Sequence, residues 1–160
     1  MTASAKPSLL FVCLGNICRS PAAEGVFLHL SENQGTGDCF EVDSAGTGGW
    51  HVGKPADGRM RSAAQARGIE LPSRARQIEI ADLNRFDWIL TMDSDNLAHV
   101  QAMAKHHGQA TAKILPITSF CSGFSVRDVP DPYYGGPEGF EQVLDLLDDA
   151  CRGLLEHLAS

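Results

Sequence analysis

Four short apolar segments of this chain alternate with longer segments in which apolar residues recur at helical spacing. The first, residues 8–12, is almost continuously apolar, which is typical of a parallel strand buried on both faces. Strands that alternate with helices predict an α/β fold: a four-stranded, parallel, twisted sheet of Rossmann-like type, with right-handed crossovers and helices on both faces. The predicted strands are 8–12, 40–42, 88–92 and 113–115, and the predicted helices are 21–29, 55–67, 93–106 and a last helix whose apolar stripe runs from Phe140 to Leu158.

The length of 160 residues predicts one domain with a sizeable core. A net charge of -7 argues against nucleic acid as a partner, since phosphate backbones bind basic surfaces. Residues 1–7 are predicted to be a loose leader rather than a signal peptide, and no segment is long and apolar enough to span a membrane. Five cysteines without a repeated spacing do not suggest a secreted disulfide framework, so we expect a reducing, cytoplasmic compartment.

The loop after the first strand begins with a thiol, Cys13, and carries a guanidinium, Arg19, six residues later. Backbone N–H groups of a loop that closes on itself before a helix point into one concavity, which suits a tetrahedral anion. That electropositive setting favours the nucleophilic thiolate of Cys13, and the planar guanidinium of Arg19 can hold two phosphate oxygens. The spacing alone is weak, but the context adds weight, with Ser20 predicted as the helix N-cap and Pro21 in the first turn.

A second candidate segment, residues 128–134, precedes the last helix and offers a carboxylic acid. Asp131 lies between two prolines, so its backbone has little freedom and its carboxyl group can be aimed. Tyr133 and Tyr134 follow and can line an aromatic slot. Asp128 competes with Asp131 for the role of acid, and the segment taken alone also fits a proline-rich turn.

Together, the run from Val12 to Pro21 and the later Asp-Pro-Tyr-Tyr-Gly resemble the two signature segments of the low-molecular-weight protein tyrosine phosphatase family. The similarity extends over nearly the whole chain and implies a single phosphatase domain over residues 1–160. It implies hydrolysis of phosphotyrosine and small aryl phosphates through a phosphocysteine on Cys13, with Asp131 as general acid and then base. By the same resemblance, the phosphoryl group is bound by Leu14, Gly15, Asn16, Ile17, Cys18, Arg19 and Ser20.

The resemblance also implies roles around the loop. Ser44 would brace Asn16, and Trp50 would form a pocket wall together with the two tyrosines. Asp93 would orient the loop and its arginine, although a plain helix N-cap explains that residue equally well. Some relatives carry a histidine where this chain has Ser73, which leaves that part of the bracing network open.

Three further expectations follow. Cys13 and Cys18 are implied by the resemblance to form a reversible disulfide, whereas the alternative is that Cys18 is a small buried residue. Arg74 and Arg76 are expected to lie on a solvated face. The family's chemistry needs no metal or cofactor; its substrate is a phosphotyrosine protein or a small aryl phosphate, its product is inorganic phosphate, and we expect a monomer with neither nucleic-acid nor membrane partners.

Three other functions compete with this one. An arsenate reductase of the same fold needs resolving cysteines, but Cys121 stands alone in its loop. A carrier that holds a phosphoryl group on a cysteine needs neither an arginine nor a general acid. A non-catalytic phosphotyrosine binder would not need the intact nucleophile and acid. Aryl phosphate turnover without metal, thiol or partner protein excludes all three.

Overall fold

The sheet has four parallel strands, as the sequence predicted. The computed structural model describes residues 6–159, so the predicted leader lies outside the described residues except for Lys6 and Pro7. Strand order is β2-β1-β3-β4, and each neighbouring pair is parallel. The strands are β1 (Ser8–Cys13), β2 (Glu41–Gly46), β3 (Trp88–Thr91) and β4 (Lys113–Pro116).

Five α-helices accompany the strands in the described part of the chain. They are α1 (Arg19–Asn33), α2 (Gly58–Gln65), α3 (Asp82–Arg85), α4 (Ser94–His107) and α5 (Pro137–Ala159), with two 3-10 turns at Gly37–Cys39 and Ile117–Phe120. No helix among residues 6–159 is long and apolar enough to cross a membrane.

Alternate residues of β1 face two separate cores, because successive side chains of a strand point to opposite faces. Leu9, Phe11 and Cys13 pack into one core together with buried residues of α1 and α5. Leu10 and Val12 pack into a second core that includes Val100 of α4. Helices therefore cover both faces of the sheet, and Cys13 ends β1 on the side of α1 and α5.

Several element boundaries differ from the sequence prediction. Helix α1 begins at Arg19 with Cys18 as its N-cap, so the predicted N-cap role of Ser20 is wrong. Strand β2 continues to Gly46, beyond the predicted end at residue 42, because its ladder with β1 extends to the end of that strand. Helix α2 is shorter than predicted, since Asp57 caps its first turn by accepting the N–H of Arg59.

Candidate active site

The loop between β1 and α1 closes around the sulfur of Cys13. The N–H of Asn16 donates to Cys13 Sγ over 3.2 Å, and Ser20 Oγ lies 3.0 Å from the same sulfur. Asn16 has a φ of 58°, a left-handed conformation that asparagine adopts more readily than most residues. At the end of β2 a Cβ on Gly46 would lie 2.7 Å from the carbonyl oxygen of Leu14, so glycine is needed for this approach of strand to loop.

Carbonyl groups of the loop are bonded to backbone outside it. Cys13 O accepts from Thr47 N–H, Leu14 O from Gly48 N–H and Ile17 O from Asp57 N–H, at 2.9, 2.9 and 2.7 Å. By contrast, the N–H groups of Gly15, Ile17 and Cys18 donate to no atom among residues 6–159. An anion bound in the loop can accept hydrogen bonds from these unpaired N–H groups, which precede the N-terminus of a helix.

A buried hydrogen-bond chain braces the loop from behind. Asn16 Nδ2 donates to Ser20 Oγ over 2.7 Å and to Ser44 Oγ over 3.0 Å, and Asn16 Oδ1 accepts the N–H of Arg76 over 2.9 Å. Ser44 Oγ in turn donates to Glu24 Oε1 over 2.7 Å. Because Ser20 Oγ accepts from Asn16, its own hydrogen can point to Cys13 Sγ.

Glu24 ends this chain and is buried in α1. Burial raises the pKa of its carboxyl group, and hydrogen bonds to Ser44 and Ser73 oppose that shift. Ser73, which stands where some relatives carry a histidine, therefore acts on the pKa of the same carboxyl group as Ser44 does. Sequence analysis missed Glu24, although a carboxylate among Ala22, Ala23 and Val26, one helical turn after Ser20, was a usable signal.

Arg19 is almost completely buried and is held by two elements. Its Nη1 donates to Asp93 Oδ2 over 2.6 Å and to the carbonyl oxygen of Val129 over 3.1 Å. Its Nη2 lies 3.7 Å from Asp131 Oδ2. Burial lowers the pKa of Arg19, but the nearby Cys13, Asp93 and Asp131 raise it by more than burial lowers it. The net pKa lies above the ordinary value, so the guanidinium stays charged.

Asp93 meets both expectations that the sequence left open. Its Oδ1 accepts the N–H of Asn96 over 2.8 Å, and Asn96 Oδ1 accepts the N–H of Asp93, which makes a capping box at the start of α4. Its other oxygen binds Arg19. One carboxylate therefore fixes the helix and the arginine together.

These groups share one cavity with the residues predicted to be its aromatic walls. The cavity has a volume of about 310 Å³, and its lining includes Cys13, Arg19, Trp50, Asp131, Tyr133 and Tyr134. Trp50 and Tyr134 are 70% and 94% exposed, so they stand at the mouth. Asp128, the local competitor of Asp131, is not in the lining; its carboxylate accepts from the backbone and hydroxyl of Ser94.

His51 also lines the cavity, which sequence analysis missed. Its Cδ2 atom lies 3.0 Å from the position of a Cβ on Gly15, and its ring centre is 6.3 Å from that of Tyr133. Among residues 6–159 no group of three His, Cys, Asp or Glu side chains could hold a metal ion.

Arg74 and Arg76, which were both predicted to lie on a solvated face, differ in their surroundings. Arg74 is exposed, but Arg76 is half-buried and forms ion pairs with Asp43 and Asp82 at 3.1 and 3.0 Å, so its predicted place on a solvated face is wrong. Cys18 is a buried free thiol, and burial, assisted by Asp57, raises its pKa to about 12.

Comparison with known proteins agrees with this geometry. The family model for low molecular weight phosphotyrosine protein phosphatases matches residues 8–160. A Synechocystis sequence assigned to the low molecular weight protein-tyrosine-phosphatases is 48% identical over 150 residues, which cover 94% of this chain and 95% of that relative.

Solved structures with the same fold include a protein tyrosine phosphatase of Entamoeba histolytica with Hepes in its active site, which superimposes with a TM-score of 0.91 at 42% identity and covers 96% of this chain and 97% of that one. A Drosophila arginine phosphatase superimposes with a TM-score of 0.89 at 32% identity and covers 95% and 98%. The predicted fold and enzyme class are therefore confirmed. The matched residues include both segments on which the resemblance was based, and the chain belongs to the low molecular weight phosphotyrosine protein phosphatase family.

Proposed function

We propose that this enzyme hydrolyses phosphotyrosine in proteins through a phosphocysteine on Cys13. The observation that carries the proposal is the convergence of the Cys13 thiol, the buried Arg19 guanidinium and the Asp131 carboxyl group on a single cavity. The unpaired N–H groups of the loop add positive dipoles to that cavity without a metal ion.

In the first step, Cys13 Sγ attacks phosphorus in line with the departing phenol oxygen. The S–P bond forms while the P–O bond breaks, and Asp131 donates its proton to the leaving oxygen. Arg19 and the loop N–H groups bind the equatorial oxygens, where charge is concentrated in a loose transition state.

In the second step, Asp131 takes a proton from water, and the resulting oxygen attacks phosphorus as the S–P bond breaks. Inorganic phosphate leaves, and Cys13 returns to its thiolate form. The hydroxyl of Ser20, held by Asn16, donates to that sulfur and stabilises it both as nucleophile and as leaving group.

The rim of the cavity supports a protein substrate with an aromatic phosphate ester. Trp50 and Tyr134 are large exposed side chains, and Leu14 is 44% exposed beside them. Exposed apolar surface around a cavity that also holds charged groups is typical of a site for macromolecules. The similarity to an arginine phosphatase makes phosphoarginine the second candidate substrate, whereas the aromatic walls favour a phenol ring.

We also propose that the enzyme acts as a monomer in a reducing cytoplasm. The cavity is complete within one chain, and all five cysteines are free thiols. Sedimentation of the purified protein at increasing concentration tests the first part, since a stable dimer would contradict it.

The deciding experiment compares the parent enzyme with Cys13→Ser and with Cys39→Ser, an exposed cysteine, as control. The substrates are p-nitrophenyl phosphate, a phosphotyrosine peptide and a phosphoarginine peptide, all with a chelator and no added thiol. We expect repeated turnover of the first two, and a loss of about 10⁴-fold or more only in Cys13→Ser. Single turnover, dependence on thiol, or a preference for phosphoarginine would contradict the proposal.

A further inference from the structure

A second cavity opens beside the active site, on the far side of Arg59. It has a volume of about 390 Å³ and lies between α2 and the start of α5. Ala63 of α2, its C-cap Ala66 and Phe140 of α5 line it, and residues 135–137, which lead into α5, form the opposite wall. We call this cavity the α2–α5 groove.

A single side chain separates the groove from the catalytic cavity. The guanidinium carbon of Arg59 lies 5.3 Å from the ring centre of Tyr133, which lines the catalytic cavity, and 4.9 Å from that of Phe140, which lines the groove. Tyr134 at the mouth is followed directly by Gly135 in the groove wall. A ligand that leaves the catalytic cavity past Tyr133 therefore meets the groove next.

Arg59 is held firmly in this dividing position. Its Nε and Nη2 donate to the two carboxylate oxygens of Asp57 over 3.1 and 3.0 Å, a bidentate arrangement that fixes the guanidinium plane. The groove is closed at another point by the ion pair of Arg67 with Glu141. Its remaining lining is mostly small, so the space fits one medium-sized apolar side chain rather than a charged group.

The charge of this region suits a phosphorylated peptide. Residues 50–76 contain six Lys and Arg but only two Asp and Glu, although the whole chain has a net charge of -7. Three of these six, Arg59, Arg67 and Arg76, are ion-paired with carboxylates. Arg61, exposed on α2 and bonded to a backbone carbonyl oxygen, attracts the acidic segment in which a phosphate is carried.

Distances set the spacing along such a peptide. The two Arg59 contacts keep the ring centres of Tyr133 and Phe140 within about 10 Å of each other. An extended chain advances roughly 3.3–3.6 Å per residue. A side chain two or three positions from the residue in the catalytic cavity consequently reaches the groove.

We propose that the α2–α5 groove binds an apolar side chain of the protein substrate, two or three residues from the phosphotyrosine. This subsite rests on the proposed phosphotyrosine activity and adds a sequence preference to it. Small aryl phosphates do not reach the groove, so their hydrolysis reports on the catalytic cavity alone.

The test uses phosphotyrosine peptides that carry Leu, Ala or Glu at each of the three positions on either side of the phosphotyrosine. We expect kcat/KM to be about 10-fold higher for Leu than for Ala at one position two or three residues away, in line with what one pocket contributes to selectivity. The Glu peptide should be no better than the Ala peptide at that position.

Ala66→Glu places a charged side chain in the groove and should reduce the preference for Leu to less than 2-fold, with unchanged kcat/KM for p-nitrophenyl phosphate. Gln65→Glu adds the same charge at the neighbouring exposed position outside the groove and is the matched control. Ser62→Leu, one turn earlier in the groove lining, provides a second block should Ala66→Glu not fold.

Two results would overturn the subsite: no preference for Leu at any position, or a preference that survives both blocks. A dimer that Ala66→Glu abolishes, without any peptide preference, would assign the groove to a second copy of the chain. If p-nitrophenyl phosphate is not hydrolysed at all, the proposed activity fails instead. The dissociation constants of the Leu and Ala peptides for Cys13→Ser then decide the subsite, with a 10-fold ratio expected.

Discussion

Arg19 is fixed by acceptors that come from two different loops, Asp93 after β3 and Val129 ahead of α5. A lysine ammonium is a point charge and cannot bond both acceptors while presenting two donors to a phosphoryl group. We expect Arg19→Lys to lower kcat/KM for p-nitrophenyl phosphate by about 100-fold or more. Arg74→Lys, at an exposed arginine, is the control; rates within 2-fold of the parent enzyme in Arg19→Lys would refute the bidentate role.

Asp131 provides a second residue-level prediction. Its carboxyl group is 42% exposed, faces Arg19 Nη2 and accepts the N–H of Tyr133, so it is aimed yet open to water. In Asp131→Ala, kcat/KM should fall by roughly 10²–10⁴ for phenols of high pKa and much less for phenols of low pKa, since good leaving groups need no proton. The measurement is a series of aryl phosphates; an equal loss across the series would rule out general acid catalysis.

At the scale of single residues, the sequence predicted those side chains whose residue type and spacing indicate a chemical role. The loop with Cys13 and Arg19 was predicted from local context, a thiol that ends an apolar strand and a guanidinium at the start of a helix. The role of Asp131 came from the family resemblance, because its segment alone also fits a proline-rich turn. His51 was missed because its position in the site depends on how distant segments pack. Glu24 was missed although a carboxylate within an apolar helical run is a local signal of a buried, hydrogen-bonded group. The family resemblance, rather than spacing, pointed to Ser44 as the neighbour of Asn16.

Asn16 stabilises the loop between β1 and α1 in two ways, through its backbone conformation and through the hydrogen bonds of its side chain. Its left-handed φ favours glycine, whereas its side chain makes three hydrogen bonds. Asn16→Gly keeps the conformation and removes the bonds, so it separates the two. We expect a loss of stability of about 1–3 kcal/mol in denaturant unfolding and a clear fall in kcat.

Asn16→Ala is the matched variant, because it removes the same bonds and adds backbone strain. It should be less stable than Asn16→Gly by roughly 1 kcal/mol. If Asn16→Gly has parent-like kcat, the side-chain bonds do not position the loop.

Sequence patterns predicted most elements but not all of their boundaries. Apolar runs predicted all four strands, and the helix predicted over residues 93–106 agrees with α4 to within one residue at each end. The start of α1 was misplaced because Ser20 has the residue type of an N-cap but directs its hydroxyl to Cys13. Helix α3 is a four-residue turn without a periodic pattern, so no sequence window could reveal it.

On the scale of the whole molecule, an acidic protein concentrates positive charge around one cavity. The loop N–H groups and Arg19 follow β1 and line the cavity at that end of the sheet. Strand order could not be read from the sequence, since the alternation of strands and helices fits several orders. The order β2-β1-β3-β4 is what brings the residues after β1 and β3 together.

The buried carboxyl group of Glu24 links this arrangement to global stability. Burial raises its pKa in the folded state, so the folded protein binds the proton more tightly than the unfolded chain. Its contribution to stability is complete below the unfolded pKa of glutamate and is lost as pH rises through the higher folded pKa. Because the Gln side chain cannot ionise, Glu24→Gln should remove this loss of stability with rising pH.

Unfolding free energies of the parent enzyme and Glu24→Gln, measured in denaturant from pH 4 to pH 8, test this. Relative to the variant, the parent should become less stable as pH rises, with the smallest difference at the acidic end. Glu32→Gln, at an exposed glutamate in the same helix, is the control and should run parallel to the parent. A difference between the parent and Glu24→Gln that is constant with pH would mean that Glu24 does not titrate in this range, and that Ser44 and Ser73 hold it as a permanent carboxylate.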